Sequence, residues 1–337
     1  MNRIECQQRT NRYSGLKVTV VGDFCLDRYF DIRPELAETS LETGLPVHNV
    51  TAVRCYPGAS GTIVNNLVAL GAACIWPIGF SGDDSEGWAL RRALKALRGV
   101  DLTHFATSPE VNTFTYSKPL LIRPGQPPEE LSRLDIKNWL PTPEALGNHI
   151  AASLRLAAEK SDAVIVLDQV DLIGTGVITR PILAALEEIG RRYPSLLIVG
   201  DSRRSLADWP PMVFKMNARE LGLITGGPVD SIEGVKMSVQ ALANRNRQAA
   251  FVTLAERGII GALPDAKAIH VPARPVRGPI DIVGAGDSVT ANLTMALAAG
   301  ARLGEAMELA MAAASHVIHQ LGTTGTASIA DLQAAFE

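Results

Sequence analysis

An α/β fold is predicted, with a mainly parallel central sheet, helices on both of its faces and a small β lid, and three observations predict it. After Pro143, apolar helical segments alternate with short buried-strand patterns, the rhythm of parallel strands joined by covering helices. Leu16-Lys-Val-Thr-Val-Val-Gly22-Asp23 is a β-branched run that ends in Gly-Asp. A buried strand therefore delivers Asp23, and Asp27 beyond it, to the carboxyl edge, where open parallel sheets bind ligands. Two stretches, Tyr29 to Tyr56 and Thr113 to Ile122, are β-prone with little helical periodicity, as expected of a small sheet separate from the main layer.

The remaining elements follow in order. Pro57-Gly58-Ala-Ser-Gly61-Thr62 opens a helix that passes through Ile63, Leu67 and Leu70 and stops at Gly71, a helix-ending glycine. Ala73 to Phe80 reads as a strand, and Asp83 to Leu97 as a helix capped by Asp83. The proline-rich stretch 119–143 is assigned to loop and lid. Next come helix Glu144 to Glu159, strand Ala163 to Leu167, helix Gly176 to Arg192, and strands Leu196 to Val199 and Met212 to Met216. Helices Ala218 to Thr225 and Ser231 to Asn244 precede strand Ala249 to Leu254. A hairpin of Ile259 to Leu263 and Ala268 to Val271 is followed by two long helices, Gly286 to Ala299 and Leu303 to Leu321. The expected organisation is one domain over 14–337 with the lid inserted at about 29–56 and 113–122.

Composition narrows the function. Of 337 residues 20% are charged and 47% apolar, and the formal net charge is -3, a globular profile. Basic residues are dispersed and aromatics are 5%, which argues against nucleic acid as a partner. The polar N-terminus and the lack of an uncharged span near about 18 residues predict neither export nor a membrane span. Four cysteines, Cys6, Cys25, Cys55 and Cys74, include no Cys-x-x-Cys pair, so a reduced, cytoplasmic setting is expected. No base is identifiable for thiol catalysis by Cys25 or Cys55, and His316 and His319 lack the further ligands that a metal centre needs. The phosphate-binding P-loop and the dinucleotide glycine motif are both missing.

The segment Asp281-Ile-Val-Gly-Ala-Gly-Asp287-Ser offers another device for phosphate. A turn of Gly284, Ala285 and Gly286 places bare N–H groups at the start of an apolar helix, where orphan donors and the helix dipole favour an anion. Asp287 in the first turn would be repelled by that anion unless it has a chemical task. The task that fits is to accept a hydroxyl proton as the hydroxyl attacks phosphorus; a glycine turn with an acidic helix cap is the plainer alternative.

Five segments, in order, resemble the PfkB, or ribokinase-like, carbohydrate kinase family: Gly22-Asp23, Pro57-Gly58 through Leu70-Gly71-Ala72, Asn217-Ala-Arg-Glu220, Thr253-Leu-Ala-Glu-Arg-Gly258, and Asp281 through Asp287. Within that family Val20 to Tyr29, with Arg133-Leu-Asp135, is most similar to the kinase domain that phosphorylates heptose 7-phosphate on C1. The resemblance implies Asp287 as general base, with N–H groups of Gly284, Ala285 and Gly286 stabilising the transferred phosphoryl group. It implies ATP as phosphoryl donor and Mg²⁺ placed, through water, by Asn217 and Glu220. Arg203 in Asp201-Ser-Arg-Arg204 would face the triphosphate, and Thr253, Gly258, Asp281 and Gly322 would border the nucleotide. Asp23, Asp27, Gly58, Thr62 and Lys118 would meet a sugar or sugar phosphate, and a homodimer through the lid is expected by analogy of fold.

Four departures from the family pattern stand out. Ile282 replaces a threonine, Gly58-Ala59 a Gly-Gly pair, and Thr62 an asparagine, while the lid's Lys-x-Arg becomes Lys118 with Arg123 five residues on. Two alternatives follow: a nucleoside kinase of the same fold, and a non-catalytic nucleotide-binding or regulatory member.

Overall fold

The structure, a computed structural model, describes residues 1–227 and 229–337. Helix α1 (Arg3–Thr10) leads to β1 (Lys17–Gly22). The chain then forms β2 (Phe24–Ile32), a small hairpin of β3 (Glu38–Thr39) and β4 (Pro46–Val47), and β5 (Val50–Ala59). Helix α2 (Ser60–Ala69) is followed by β6 (Cys74–Ile78), β7 (Phe80–Gly82), α3 (Ser85–Lys95), β8 (Ala106–Ser108) and β9 (Phe114–Leu121). Strands β10 (Glu129–Glu130) and β11 (Leu134–Ile136) precede α4 (Glu144–Ala158), β12 (Ala163–Asp168), α5 (Arg180–Arg192), β13 (Leu197–Ser202) and β14 (Val213–Asn217). Helices α6 (Ala218–Thr225) and α7 (Ile232–Asn246) lead to β15 (Ala250–Thr253), β16 (Ile259–Ala262) and β17 (Ile269–Val271). Helices α8 (Ala285–Ala298), α9 (Leu303–Val317) and α10 (Ile329–Ala334) end the chain.

The central sheet has the order β17-β16-β15-β14-β13-β12-β1-β6, parallel from β6 to β15 and antiparallel at β16 and β17. Strand β12 shows why its strands read as unbroken apolar runs. Ala163, Ile165 and Leu167 belong to one core with α2, α8 and α9, while Val164 and Val166 belong to a second with α4, α5 and α7. A strand covered on both faces has no solvent side on which to place polar residues.

The lid is a second sheet, ordered β10-β9-β2-β5 with β11 also on β9. β2 leaves the carboxyl edge of β1 almost at once, separated only by Asp23, so the lid rises directly over that edge. The lid begins at Phe24, five residues before the expected boundary, and the proline-rich stretch adds two short strands to it. The helix expected from Asp83 is instead capped by Asp84, whose Oδ1 accepts the Gly87 N–H at 2.6 Å and the Thr113 hydroxyl at 2.7 Å. Helix α5 starts at Arg180 rather than Gly176, because N–H groups of the preceding loop are bound by Asp23. Helix α9 ends at Val317, and 318–322 turns back toward Asp281.

Helix α1 lies outside the expected boundary at residue 14. Asn2 and Glu5 form a capping box at its start. Cys6 is fully buried, Arg9 pairs with Glu305 at 3.0 Å, and Gln333 donates to Thr10 at 3.3 Å, so α1 packs on α9 and α10. All four cysteines are free thiols. Among the described residues no helix is long and apolar enough to cross a membrane.

Candidate active site

Gly284 caps α8 in the left-handed conformation, φ 80°, where a side chain is strained, and no side chain caps the helix. The Ala285 N–H turns back to the Ile282 carbonyl at 3.2 Å, and the Ser288 N–H donates to the Gly284 carbonyl at 2.9 Å. The N–H groups of Gly286 and Asp287 meet no backbone acceptor among the described residues. The open donors at the positive end of α8 are thus those of Gly286 and Asp287, while Ala285 is spent within the turn.

Asp287 is buried, and burial pushes its carboxyl up to about 6. Arg203 and Lys215 act against that rise, and the carboxylates of Asp201 and Asp27 add to it. Four elements converge here, since Asp201 and Lys215 come from β13 and β14, Arg203 from the loop after β13, and Asp27 from the lid. Arg203 itself is exposed at the rim, its Nε 3.2 Å from Gln169 Oε1.

Lys215 was not among the expected site residues. It is 6% exposed, its Nζ lies 2.8 Å from Asp201 Oδ2, and the Thr290 hydroxyl donates to that same oxygen at 2.9 Å. A Cβ built on Gly286 would stand 3.3 Å from Lys215 Nζ, so the ammonium lies against the open end of α8. The available signal was a lone lysine inside the apolar strand Val213-Phe-Lys-Met-Asn217, since an isolated cation is rarely buried without a task.

Asn217 and Glu220 sit together in a way that spacing alone did not predict. Asn217 is the N-cap of α6, accepting the Glu220 N–H at 2.9 Å, and Glu220 Oε2 accepts the Asn217 N–H at 2.7 Å. Together they form a capping box. Glu220 is 7% exposed, and burial raises its carboxyl. Thr253 lies beside Asn217 in the β14–β15 register. Gly258 adopts φ 93°, and a Cβ there would stand 2.5 Å from the Ala273 nitrogen and collide with the Val271 carbonyl. Asp281 accepts N–H groups from Val283 at 3.0 Å and Gly322 at 3.3 Å, tying the turn before α8 to the end of α9. Ile282 stands out to solvent.

Asp23, expected to meet a sugar, is engaged in this structure by backbone N–H groups. Asp23 is 2% exposed, and its two oxygens accept the N–H groups of Gln169 at 2.7 Å, Val170 at 3.2 Å and Val177 at 2.6 Å. Burial pushes it up to about 6, with Asp168 adding to the rise. It clamps the 169–177 loop.

Asp27 does face the site. Lys118 Nζ lies 2.9 Å from its Oδ1 and 3.2 Å from the Tyr29 hydroxyl. Gly58 stands across from Asp27 because a Cβ there would overlap Asp27 Oδ2 and come within 2.6 Å of Cys25 Sγ. Thr62, buried at the start of α2, brings its methyl to 3.4 Å from a Cβ position on Gly284, joining the two helix starts. Gly58→Ala is therefore expected to displace the Asp27 carboxylate and to lower the melting temperature, which differential scanning calorimetry against the wild type would check.

Away from this cleft, His319 accepts the Arg277 N–H at 3.1 Å and lies 2.6 Å from the Ser315 carbonyl, and His316 faces Asp331 at 3.6 Å. No group of three or more potential metal ligands gathers among the described residues.

Residues 200–330, which hold Arg203, Lys215, Asn217, Glu220 and Asp287, match the model for pfkB family carbohydrate kinases. Among curated relatives, the bifunctional protein HldE of Gluconobacter oxydans (strain 621H) is 28% identical over 308 residues, covering 91% of this chain and 62% of that protein. HldE of Pseudomonas syringae pv. syringae (strain B728a) is 31% identical over 314 residues, covering 93% of this chain and 62% of that protein. The chain thus spans less than two thirds of the length of these relatives. Phosphofructokinase-2 from Escherichia coli, in complex with potassium, superimposes with a TM-score of 0.73 at 18% identity, covering 95% of this chain and 98% of that one. Ribokinase from Arabidopsis thaliana, complexed with ribose and ATP, does so at 0.68 and 18%, covering 96% and 99%. The fold is ribokinase-like.

Proposed function

We propose that the chain transfers the γ-phosphoryl group of ATP to a hydroxyl of a sugar or sugar phosphate, with Asp287 as general base. The observation that carries this is the setting of Asp287, a buried carboxylate beside the open N–H groups of α8 and facing Asp27 of the lid. A carboxylic acid pushed up to about 6 is ionised near neutral pH yet basic enough to take a proton in the transition state.

In this mechanism the acceptor hydroxyl lies between Asp27 and Asp287 while the γ-phosphoryl group meets the Gly286 and Asp287 N–H groups. The hydroxyl oxygen bonds to the γ-phosphorus, the bond from phosphorus to the β,γ-bridging oxygen breaks, and the hydroxyl proton passes to Asp287. Lys215, against Gly286, and Arg203 at the rim stabilise the charge on the transferring oxygens. Among the described residues Glu220 Oε1 has no hydrogen-bond partner while Oε2 is held by the Asn217 N–H, so Glu220 with Asn217 would hold a magnesium ion that accompanies the nucleotide. That ion would screen the phosphate charge.

Heptose 7-phosphate, phosphorylated at C1, is the acceptor suggested by the sequence resemblance and belongs in the test panel. ADP formation measured with sugars and sugar phosphates tests the proposal. Turnover of at least one member supports it, whereas ATP binding without turnover of any would leave a non-catalytic nucleotide-binding protein. The lid strands expose Val53, Leu134 and Ile136, which supports a homodimer through the lid as part of the proposal. Light scattering is expected to give twice the chain mass, and a monomer at working concentration would refute that part.

A further inference from the structure

The charges on the lid's inner face bear on what the acceptor is. Asp27 pairs with Tyr116 and Tyr29 with Lys118 in the β2–β9 register, and Tyr29 with Arg54 in the β2–β5 register. The strand period places these side chains on one face. That face lies near α8, since Gly58, against which Asp27 Oδ2 is packed, leads into α2, where the Thr62 methyl stands 3.4 Å from a Cβ position on Gly284.

Each cation of this face already has a carboxylate. Lys118 is held by Asp27 at 2.9 Å, Arg54 grips Asp31 through two contacts at 2.8 and 3.3 Å, and Arg133 pairs with Asp135 at 2.8 Å. Each is also seated over a ring: Arg54 and Lys118 over Tyr29 at 5.1 and 4.8 Å, and Arg133 over Tyr116 at 5.2 Å. Two residues beyond Lys118, on the same face, stands Leu120, apolar and 5% exposed. Arg123, farther along, is paired with Glu129.

A phosphate arriving here would have to draw Lys118 away from Asp27. It would leave a buried carboxylate unpaired, with the phosphate dianion, Asp27 and Asp287 in one cleft. Breaking a buried pair in this way is costly, and like charges at short range oppose it further. A sugar's hydroxyls face no such obstacle. The Asp27 oxygens and the tyrosine hydroxyls offer acceptors and donors at full charge balance, and the rings suit the apolar faces of a sugar.

Resting on the kinase function proposed above, we propose that the acceptor is an uncharged polyhydroxylated sugar rather than a sugar phosphate, so that this chain installs the first phosphoryl group. In a reaction sequence, the step that consumes its product must then act on a sugar monophosphate.

The test compares each sugar with its own terminal phosphate: ribose with ribose 5-phosphate, fructose with fructose 6-phosphate, and a heptose with its 7-phosphate. ADP formation gives kcat/KM, and phosphorus NMR identifies the product. The free sugar of at least one pair is expected to be used about tenfold or more better than its phosphate. Equal use, or preference for the phosphate in every active pair, overturns the inference. A second readout separates its failure from failure of the kinase function. Thermal stabilisation by each pair member is measured with a non-hydrolysable ATP analogue present. Protection by a free sugar alone, without turnover, keeps the acceptor class while removing the kinase function; protection by the phosphate alone, or by neither, overturns the acceptor class. In Leu120→Arg, checked for a cooperative melt, use of the phosphorylated member is expected to rise relative to the free sugar.

Discussion

Asp287→Asn is expected to lower kcat by at least about 10²-fold, the usual size of a general-base effect, while leaving ATP affinity almost unchanged. The amide keeps the shape of the side chain but has no lone pair basic enough to take the hydroxyl proton. In the wild type, with Asp287 pushed up to about 6, kcat/KM rises as pH passes through that value and levels off above it. The residual rate of the variant lacks that limb. Stability gives an independent check. An aspartate in the unfolded chain titrates near about 3.9, so a folded value raised toward 6 favours the folded state below the lower value, and that advantage is lost as pH rises through the higher one. At pH near 8 the wild type therefore holds a buried carboxylate at a cost on the order of 1–3 kcal/mol that the asparagine variant escapes. Urea unfolding should find the variant more stable at that pH, with the gap shrinking in acid. A variant as fast as wild type removes Asp287 from the chemistry.

How much of this was legible in the sequence depended on the range of the interaction involved. The turn at Gly284 and the start of α8 are local chemistry, and both stand where the glycines and the following apolar pattern place them. The parallel sheet was legible for a similar reason, because β12 and its neighbours are buried on both faces and carry continuous apolar runs. The partners of Asp23 were not. It ends a strand at the ligand-binding edge, and its oxygens are engaged by N–H groups of 169, 170 and 177, far along the chain. Spacing shows that a carboxylate arrives at an edge and says nothing of what meets it there. Asn217 and Glu220 show a different limit, since Asn-x-x-Glu reads both as a segment of the family pattern and as a capping box, and the pattern alone does not separate the two. The same pattern, Asn2-x-x-Glu5, marked the start of α1, which was missed because that helix is largely polar and its buried Cys6 is a single anchor.

Lys215→Met carries the other large expected effect, a fall in kcat of about 10²–10³-fold, the size found when one donor to a developing oxyanion is removed. The lysine is placed for that role by the Asp201 carboxylate and by its contact with the Gly286 end of α8. Its loss also leaves Asp201 buried beside Thr290 without its cation, which destabilises the fold on the order of 3–5 kcal/mol and makes the single variant ambiguous. Asp201→Asn resolves this, because it breaks the same ion pair but keeps the ammonium. If Lys215 acts on the phosphoryl group, Asp201→Asn retains most of the rate that Lys215→Met loses; if the pair is only structural, the two variants fall together. The pH profiles move in opposite directions. Asp201 helps to raise Asp287 and Lys215 to lower it, so the acid limb shifts to lower pH in Asp201→Asn and to higher pH in Lys215→Met. Equal rates with unshifted limbs would exclude Lys215 from both the phosphoryl site and the tuning of the base.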